Sequence, residues 1–451
     1  MGLCQSLPTP NVASKGGGGK KRVVTSSTPP SAISTSRLHS RKPSSYSSNH
    51  LTSLNSMYTS TLLPSGLPQG VHGLPNLGNT CFFNTTLQLL LGIPALTDYF
   101  LAYDWKQELN PSNFQASKNN SLTKAYANLV KTVWSKSPSK SSINSACKSV
   151  HTALCSFNCT FKGYGQHDTS ECLLCLLDGL HEDLNRVRTS KPYVEDVEID
   201  STIGSDKSQD VEMGLKAWEG YLLRNKSIIV DLFQGQLRST LRCKTPGCDR
   251  EVRRFETFMC LTLPLDKGGE MSLEGSFRLF EEPEVLEGEN QWYCSKCKRH
   301  VDAEKCIEVW VLPPCLLLGL KRFTNGRRKI NTLVSYPLSS FVPLNRPSPP
   351  HFYDLYSVSR HHGGTGAGGH YTALVRSRIN DNWHSLNDSN ACKEKGEVDR
   401  DGYVLAYCRM VGGGREHVRR QSVTMPHLWP AGHSKSKLFS PPPKKEGGEI
   451  T

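Results

Sequence analysis

Gly73-Leu74-Pro75-Asn76-Leu77-Gly78-Asn79-Thr80-Cys81-Phe82-Phe83-Asn84 runs from a Gly/Asn turn into the apolar stretch Leu87, Leu89, Leu90 and Leu91, which reads as a buried helix with a cysteine at its start. A helix N-terminus aims unpaired backbone N–H groups and a positive dipole end at whatever sits there, so the segment predicts a thiol whose pKa is lowered. Asn79 and Thr80 are the expected capping oxygens. A buried structural cysteine carries the same local signature, since free cysteine is among the most buried residue types. A second site has to decide between the two.

That site lies in Gly363-Gly364-Thr365-Gly366-Ala367-Gly368-Gly369-His370-Tyr371-Thr372-Ala373-Leu374-Val375, a glycine-dense loop leading into a strand-like segment with His370 at the junction. Glycine permits positive φ and close approach of another backbone, so five glycines before one histidine fit the wall of a channel that admits only a thin chain. Specificity for a Gly-Gly tail follows from such a channel. Trp383-His384-Ser385-Leu386-Asn387-Asp388 comes after a turn near Arg378 to Asp381, and an antiparallel hairpin there returns Asn387 and Asp388 towards His370. A cysteine that attacks, a histidine that holds the proton and an amide or carboxylate that orients the imidazole form the logic of acyl transfer. Cys81, His370, Asn387 and Asp388 are therefore the candidate catalytic set, with either Asn387 or Asp388 as the orienting group.

Between these sites stand Gly165-Gln166-His167-Asp168-Thr169-Ser170-Glu171, Leu176-Leu177-Asp178-Gly179-Leu180-His181-Glu182-Asp183-Leu184-Asn185 and Leu318-Gly319-Leu320-Lys321-Arg322-Phe323. Together with the Cys81 segment and the run from Tyr353-Asp354-Leu355-Tyr356-Ser357-Val358 to His370-Tyr371-Thr372-Ala373, in that order, they resemble the ubiquitin-specific proteases, a branch of the papain-like cysteine proteases. The resemblance covers residues 71–410, flanked by an arm over 1–70 and a tail over 411–451. It implies an α+β fold with a papain-like thumb and palm and zinc-bearing β fingers at about 233–310. It implies thiol-dependent hydrolysis after the C-terminal glycine of ubiquitin, with ubiquitin and ubiquitinated proteins as partners. Asn387 matches the third triad position, and Asp388 is its neighbour. Asn76, ahead of the nucleophile, matches the residue whose side-chain amide donates to the developing oxyanion beside the backbone N–H of Cys81. Asp168 and Glu171 match acidic positions that face the arginine-bearing tail of ubiquitin, while Gly368, Gly369 and Tyr371 are expected along the tail's channel.

Cys243-Lys244-Thr245-Pro246-Gly247-Cys248 and Cys294-Ser295-Lys296-Cys297 form two knuckle-like pairs separated by a strand-rich segment. Cys243, Cys248, Cys294 and Cys297 read as a closed four-thiolate site for one structural zinc ion, with no open position for catalytic water. The first pair has more intervening residues than the family usually shows. Other departures are Cys172, Cys175 and Leu386, which put smaller side chains where larger ones are usual; these are read as packing residues. His384 sits where tyrosine is frequent and is given no role.

Sixteen cysteines in 451 residues, with no cleavable secretory signal, predict a reducing intracellular setting without disulfides. The longest apolar runs, near Leu87 to Leu91 and Leu316 to Leu318, fall far short of the roughly 20 residues a spanning helix needs. The ends are rich in Ser, Thr, Pro, Gly and Lys and read as disordered, and they carry most of the net charge of +13. The basic run Lys321, Arg322, Arg327, Arg328 and Lys329 has no stacking aromatics around it, so it is read as a solvated loop and strand end and no nucleic-acid partner is expected. Met1-Gly2-Leu3-Cys4-Gln5-Ser6 fits the N-myristoylation pattern at Gly2 with Cys4 placed for palmitoylation, and Lys20-Lys21-Arg22 supplies basic support for a membrane-surface anchor. The expected location is cytoplasmic, with a lipid anchor or the nucleus compatible with the basic ends. Two other readings remain open: a catalytically weak ubiquitin-binding scaffold, and a cysteine hydrolase acting on another ubiquitin-like modifier.

Overall fold

The apolar run after Cys81 forms α1 (Cys81–Leu91), every residue of which is buried. In the computed structural model, which describes residues 69–188, 190–204, 208–324, 328–343, 350–365 and 368–410, this helix is the centre of a helical layer. Gly2, Cys4, Arg327 and the tail from 411 onward lie outside the described residues. Around α1 pack α2 (Pro94–Ala102), opened by proline at its first position, α3 (Ser121–Val133), α4 (Lys140–Phe157) and α5 (Thr169–Asp183). Leu122, Tyr126, Leu129, Val130 and Val133 make the helically spaced inner face of α3, and Leu173, Leu176, Leu177 and Leu180 do the same on α5. Ser139 caps α4 by accepting from the N–H of Ser142, and Asp168 caps α5 by accepting from those of Ser170 and Glu171. Cys172 is fully buried and Cys175 half-buried in this layer, so both serve packing as expected.

Beyond the thumb, α6 (Gln209–Leu222) and α7 (Ile228–Phe233) lead into an antiparallel sheet. Its strands are β1 (Glu198–Thr202), β2 (Gly235–Cys243), β3 (Arg250–Phe258), β6 (Glu284–Leu286) and β9 (Ala303–Val311), in spatial order β1-β3-β2-β9-β6. The hairpin of β7 (Trp292–Cys294) and β8 (Arg299–Val301) stands beside it. This finger sheet is tied to α6 by charge: Asp210 is fully buried on the helix and accepts from both Arg238 of β2 and Arg253 of β3.

The palm is a sheet in the order β15-β14-β13-β12-β16-β10-β4, made of β4 (Cys260–Leu263), β10 (Cys315–Leu320), β12 (Tyr353–Thr365), β13 (Gly368–Arg376), β14 (Trp383–Asn387), β15 (Asn390–Glu394) and β16 (Gly402–Arg409). The short pair β5 (Glu270–Ser272) and β11 (Leu333–Ser335) and helix α8 (Leu273–Glu281) cover one end. β10 reads as an unbroken apolar run because all of its residues are buried. Leu386 lies in a small core with Val71, Ala373 and Val375. His384 is buried, which lowers its pKa.

The basic run around Lys321 departs from expectation. Arg322 is fully buried and donates to the carbonyls of Gly402, Ile330 and Thr332, while Lys329 is buried against Asp401 and the carbonyl of His361. These are clasps that tie the β10–β11 connection to itself through the Ile330 and Thr332 carbonyls and to β12 and the start of β16 through His361, Asp401 and Gly402. Lys321 and Arg328 are exposed as expected, so the departure from a solvated face is confined to Arg322 and Lys329.

Candidate active site

Cys81 is the first residue of α1. The turn before it bends through Gly78 and Asn79, both at positive φ (110° and 54°). Its capping differs from expectation. The Thr80 hydroxyl accepts from the N–H of Leu77 (2.8 Å) and the Asn79 amide donates to the Tyr164 carbonyl (2.9 Å), so neither caps the helix. Asn76 shapes the turn instead: its Oδ1 accepts from the N–H of Gly78 (2.9 Å) and of Thr80 (3.2 Å).

The Cys81 thiol is not acidified in this arrangement. Burial pushes its pKa up, and the Asp388 charge pushes in the same direction, against backbone hydrogen bonds from Tyr371 and the helix start. Its side-chain partner is Gln166, whose Oε1 lies 3.9 Å from Sγ. Among the described residues no hydrogen bond joins this thiol to His370. The expected lowered pKa is thus overturned by desolvation, which outweighs the helix terminus.

His370 is set by the hairpin of β13 and β14, which pair antiparallel with Ala373 opposite Leu386. The hairpin brings Nε2 of His370 to 2.8 Å from Oδ1 of Asn387. An amide oxygen only accepts, so Nε2 carries the proton, and Nδ1 of the neutral ring keeps its lone pair for a thiol. Of the two candidates for the orienting group, Asn387 is the one hydrogen-bonded to His370. Asp388 turns away at φ 46° and does other work: one oxygen accepts from Nδ2 of Asn76 (2.9 Å) and the other from Nδ2 of Asn84 (2.8 Å). Its carbonyl accepts from the N–H of Leu74 (2.8 Å). A Cβ on Gly73 would lie 2.3 Å from the Ser389 backbone, so the approach of the two loops requires glycine there. The amide of Asn76 is therefore fixed from both ends, by the turn through its oxygen and by Asp388 through its nitrogen.

The remaining expected residues divide. Gly369 is sterically required, since a Cβ there would stand 2.5 Å from Nε2 of His361 and 2.6 Å from the His362 carbonyl; one on Gly368 would meet open space. The Tyr371 ring is buried, edge-on to His361 at 4.7 Å, so it forms wall rather than contact surface, while its backbone reaches Cys81. Asp168 combines its capping role with a hydrogen bond from the Tyr403 hydroxyl, and sits half-exposed on a cavity of 190 Å³ with Ser170, Thr262, Lys321 and Phe323. Glu171 is exposed on the first turn of α5. Three residues escaped assignment from sequence. Gln166 and Asn84 stand inside the quoted motifs with nothing that sets them apart from their neighbours, whereas Tyr403, on the last strand, carries no local signal.

At the finger tip Cys243 ends β2 and Cys294 ends β7, with Cys248 and Cys297 in the following turns. The four sulfurs lie within 4.8 Å of one another, with Cys243–Cys297 and Cys248–Cys294 each at 3.8 Å. The cluster could hold a metal ion.

Comparison with known proteins places these features. The family model described as ubiquitin carboxyl-terminal hydrolase matches residues 72–407. Ubiquitin carboxyl-terminal hydrolase 2 of Rattus norvegicus is 37% identical over 352 residues, covering 75% of this chain and 54% of the rat protein. Ubiquitin carboxyl-terminal hydrolase 4 of Saccharomyces cerevisiae is 33% identical over 368 residues, covering 75% and 39%. The match thus spans about half the length of the rat relative and less of the yeast one. Among solved structures, a chain of the SAGA Ubp8/Sgf11/Sus1/Sgf73 DUB module bound to ubiquitin aldehyde shares the fold with a TM-score of 0.58 at 21% identity, covering 76% of this chain and 70% of that one.

Proposed function

This chain belongs to the ubiquitin carboxyl-terminal hydrolase family, and from that premise we propose that it is a cysteine-type deubiquitinase that cleaves the bond after the C-terminal glycine of ubiquitin. The observation that carries the reading is the convergence of Cys81, the His370–Asn387 pair and the Asn76 amide at one helix start. On this reading the tail of ubiquitin approaches Cys81 past the start of β13, with the exposed Glu171 and half-exposed Asp168 along its way. Nδ1 of His370 takes the thiol proton as Sγ forms its bond to the terminal glycine carbonyl carbon. The amide of Asn76 and the backbone N–H of Cys81 receive the negative oxygen, an effect commonly worth about 3 kcal/mol of barrier for one donor. The imidazolium then gives its proton to the leaving lysine amine, and a water activated by the same ring hydrolyses the thioester. Before this begins, the thiol must leave Gln166 for His370, a tightening that free enzymes often await substrate to make.

A ubiquitin bearing a thiol-reactive C-terminal group tests this. A covalent adduct with the full chain, lost in Cys81→Ala, is the expected result. The engagement of the Cys81 thiol with Gln166 rather than with His370 favours a second reading, a weak enzyme serving as a ubiquitin-binding scaffold; binding of ubiquitin without any adduct would support it. An adduct with other ubiquitin-like modifiers and not with ubiquitin would redirect the substrate.

We assign zinc to the finger cluster. Tetrahedral zinc with Zn–S bonds of about 2.3 Å requires sulfurs about 3.8 Å apart, which the two close pairs match. Such an ion joins the two knuckles and takes no part in the chemistry. For location, the Gly2 and Cys4 pattern supports acylation and a membrane-surface association of a cytoplasmic enzyme; radiolabelled myristate on the wild type and none on Gly2→Ala is the expected outcome.

A further inference from the structure

We propose that Asn84 is a positioning residue for the oxyanion donor, acting through Asp388 on Asn76, with the Cys147 thiol fixing its direction. The proposal rests on the hydrolase reading above. Asn84 lies on the first turn of α1 on the side away from solvent and is buried. Its Nδ2 donates to Oδ1 of Asp388 at 2.8 Å and to the Pro75 carbonyl at 3.1 Å, so one amide touches both the triad turn and the segment carrying Asn76. Its Oδ1 faces Sγ of Cys147 at 3.8 Å, on α4. Cys147 is fully buried, and desolvation first, then the charge of Asp388, pushes its thiol up to about 12; it therefore stays protonated and donates.

This settles which way the amide points. Rotated by half a turn, Asn84 would set its oxygen against the Asp388 carboxylate, acceptor to acceptor, and would face the thiol donor with a second donor. With the observed direction, the chain of hydrogen bonds runs from Cys147 to Asn84 to Asp388 to Nδ2 of Asn76. Oδ1 of Asn76 is already held by two backbone N–H groups, so the position of the Asp388 carboxylate is the remaining freedom of the donating amide. Removing Asn84 unties one oxygen of that carboxylate and lets it rotate, and Asn76 moves with it. Neither residue touches substrate; both act on a group that does.

The test is a double-mutant cycle on hydrolysis of a fluorogenic ubiquitin amide by the full chain: wild type, Asn84→Ala, Asn76→Ala and the double variant. Asn84→Ala is expected to lower kcat about 10- to 100-fold, with KM within about twofold. In the Asn76→Ala background it is expected to cost nothing further, because its route to the transition state is already cut. A multiplicative loss in the double variant, or a loss confined to KM, overturns the proposal. If Asn84→Ala does not fold, Asn84→Ser keeps a short hydroxyl and carries the same cycle. The side-chain amide resonances of Asn76 give a second readout that needs no turnover: they shift in Asn84→Ala and in Cys147→Ala if the chain of bonds exists, and stay in place if it does not. A wild type that hydrolyses no ubiquitin substrate refutes the hydrolase reading, whereas unmoved Asn76 signals refute this one.

Discussion

At the scale of single residues, Asp388 does two things of opposite sign to the two halves of the chemistry. Its carboxylate steadies the Asn76 amide and also adds a negative charge that raises the Cys81 pKa. Asp388→Ala is therefore expected to speed alkylation of Cys81 by iodoacetamide at pH 7 while slowing ubiquitin hydrolysis; parallel rate measurements check both. Asn387→Ala is expected to leave alkylation near the wild-type rate and to lower kcat on the order of a hundredfold, because the imidazole loses the acceptor that fixes its tautomer. The wild-type alkylation rate should itself rise with pH through a midpoint above the roughly 8.5 of a free cysteine, since burial favours the neutral thiol. A rate already level below pH 7 would mean a preformed thiolate–imidazolium pair. The motifs pointed to Cys81 and His370 because each sits at a local turn chemistry that sequence displays, whereas Asn76 was legible only through the family resemblance. They could not separate Asn387 from Asp388, which depends on one positive φ, nor forecast the thiol's pKa, which depends on how much apolar surface surrounds it.

Among the elements, the hairpin of β13 and β14 was legible because alternation and its turn lie within a short stretch. The finger sheet was legible through its cysteines. Its cohesion was not, because Asp210, Arg238 and Arg253 are charged residues on three separate elements that look solvent-facing when read one strand at a time. Burying one carboxylate between two guanidinium groups leaves a large imbalance if the carboxylate goes. Asp210→Ala is expected to lower unfolding stability by about 3 to 5 kcal/mol, read as a fall in the urea midpoint, with Asp210→Asn in between. Arg322 and Lys329 taught the same lesson. Part of their acceptor set comes from the start of β16, which no neighbour in sequence announces. Chelation of the finger cluster is expected to loosen β7 and β8 first, seen as faster amide exchange there than in the palm, since that hairpin's small core consists largely of the cysteines themselves.

For the molecule as a whole, several histidines are buried or half-buried in different layers: desolvation lowers the pKa of His72, His151 and His384, and takes that of His361 down to about 4. The unfolded chain protonates these rings near pH 6.5, before the folded protein does. Their contribution to stability is therefore complete above that pH and drains away as the pH falls towards 4. The urea midpoint should decline over that window, less steeply in a His361→Leu variant. The meeting of the Gly73–Asn84 segment with Asp388 has a consequence of another kind. The oxyanion donor and the residue that steadies it are 312 positions apart, so during synthesis the nucleophile emerges from the ribosome long before its transition-state support exists. A nascent chain that carries Cys81 but not yet Asp388 would lack the group that steadies the Asn76 amide. On the proposed hydrolase reading, activity would thus begin only with the chain's own completion, and a copy cut short before Asp388 would be silent rather than unregulated.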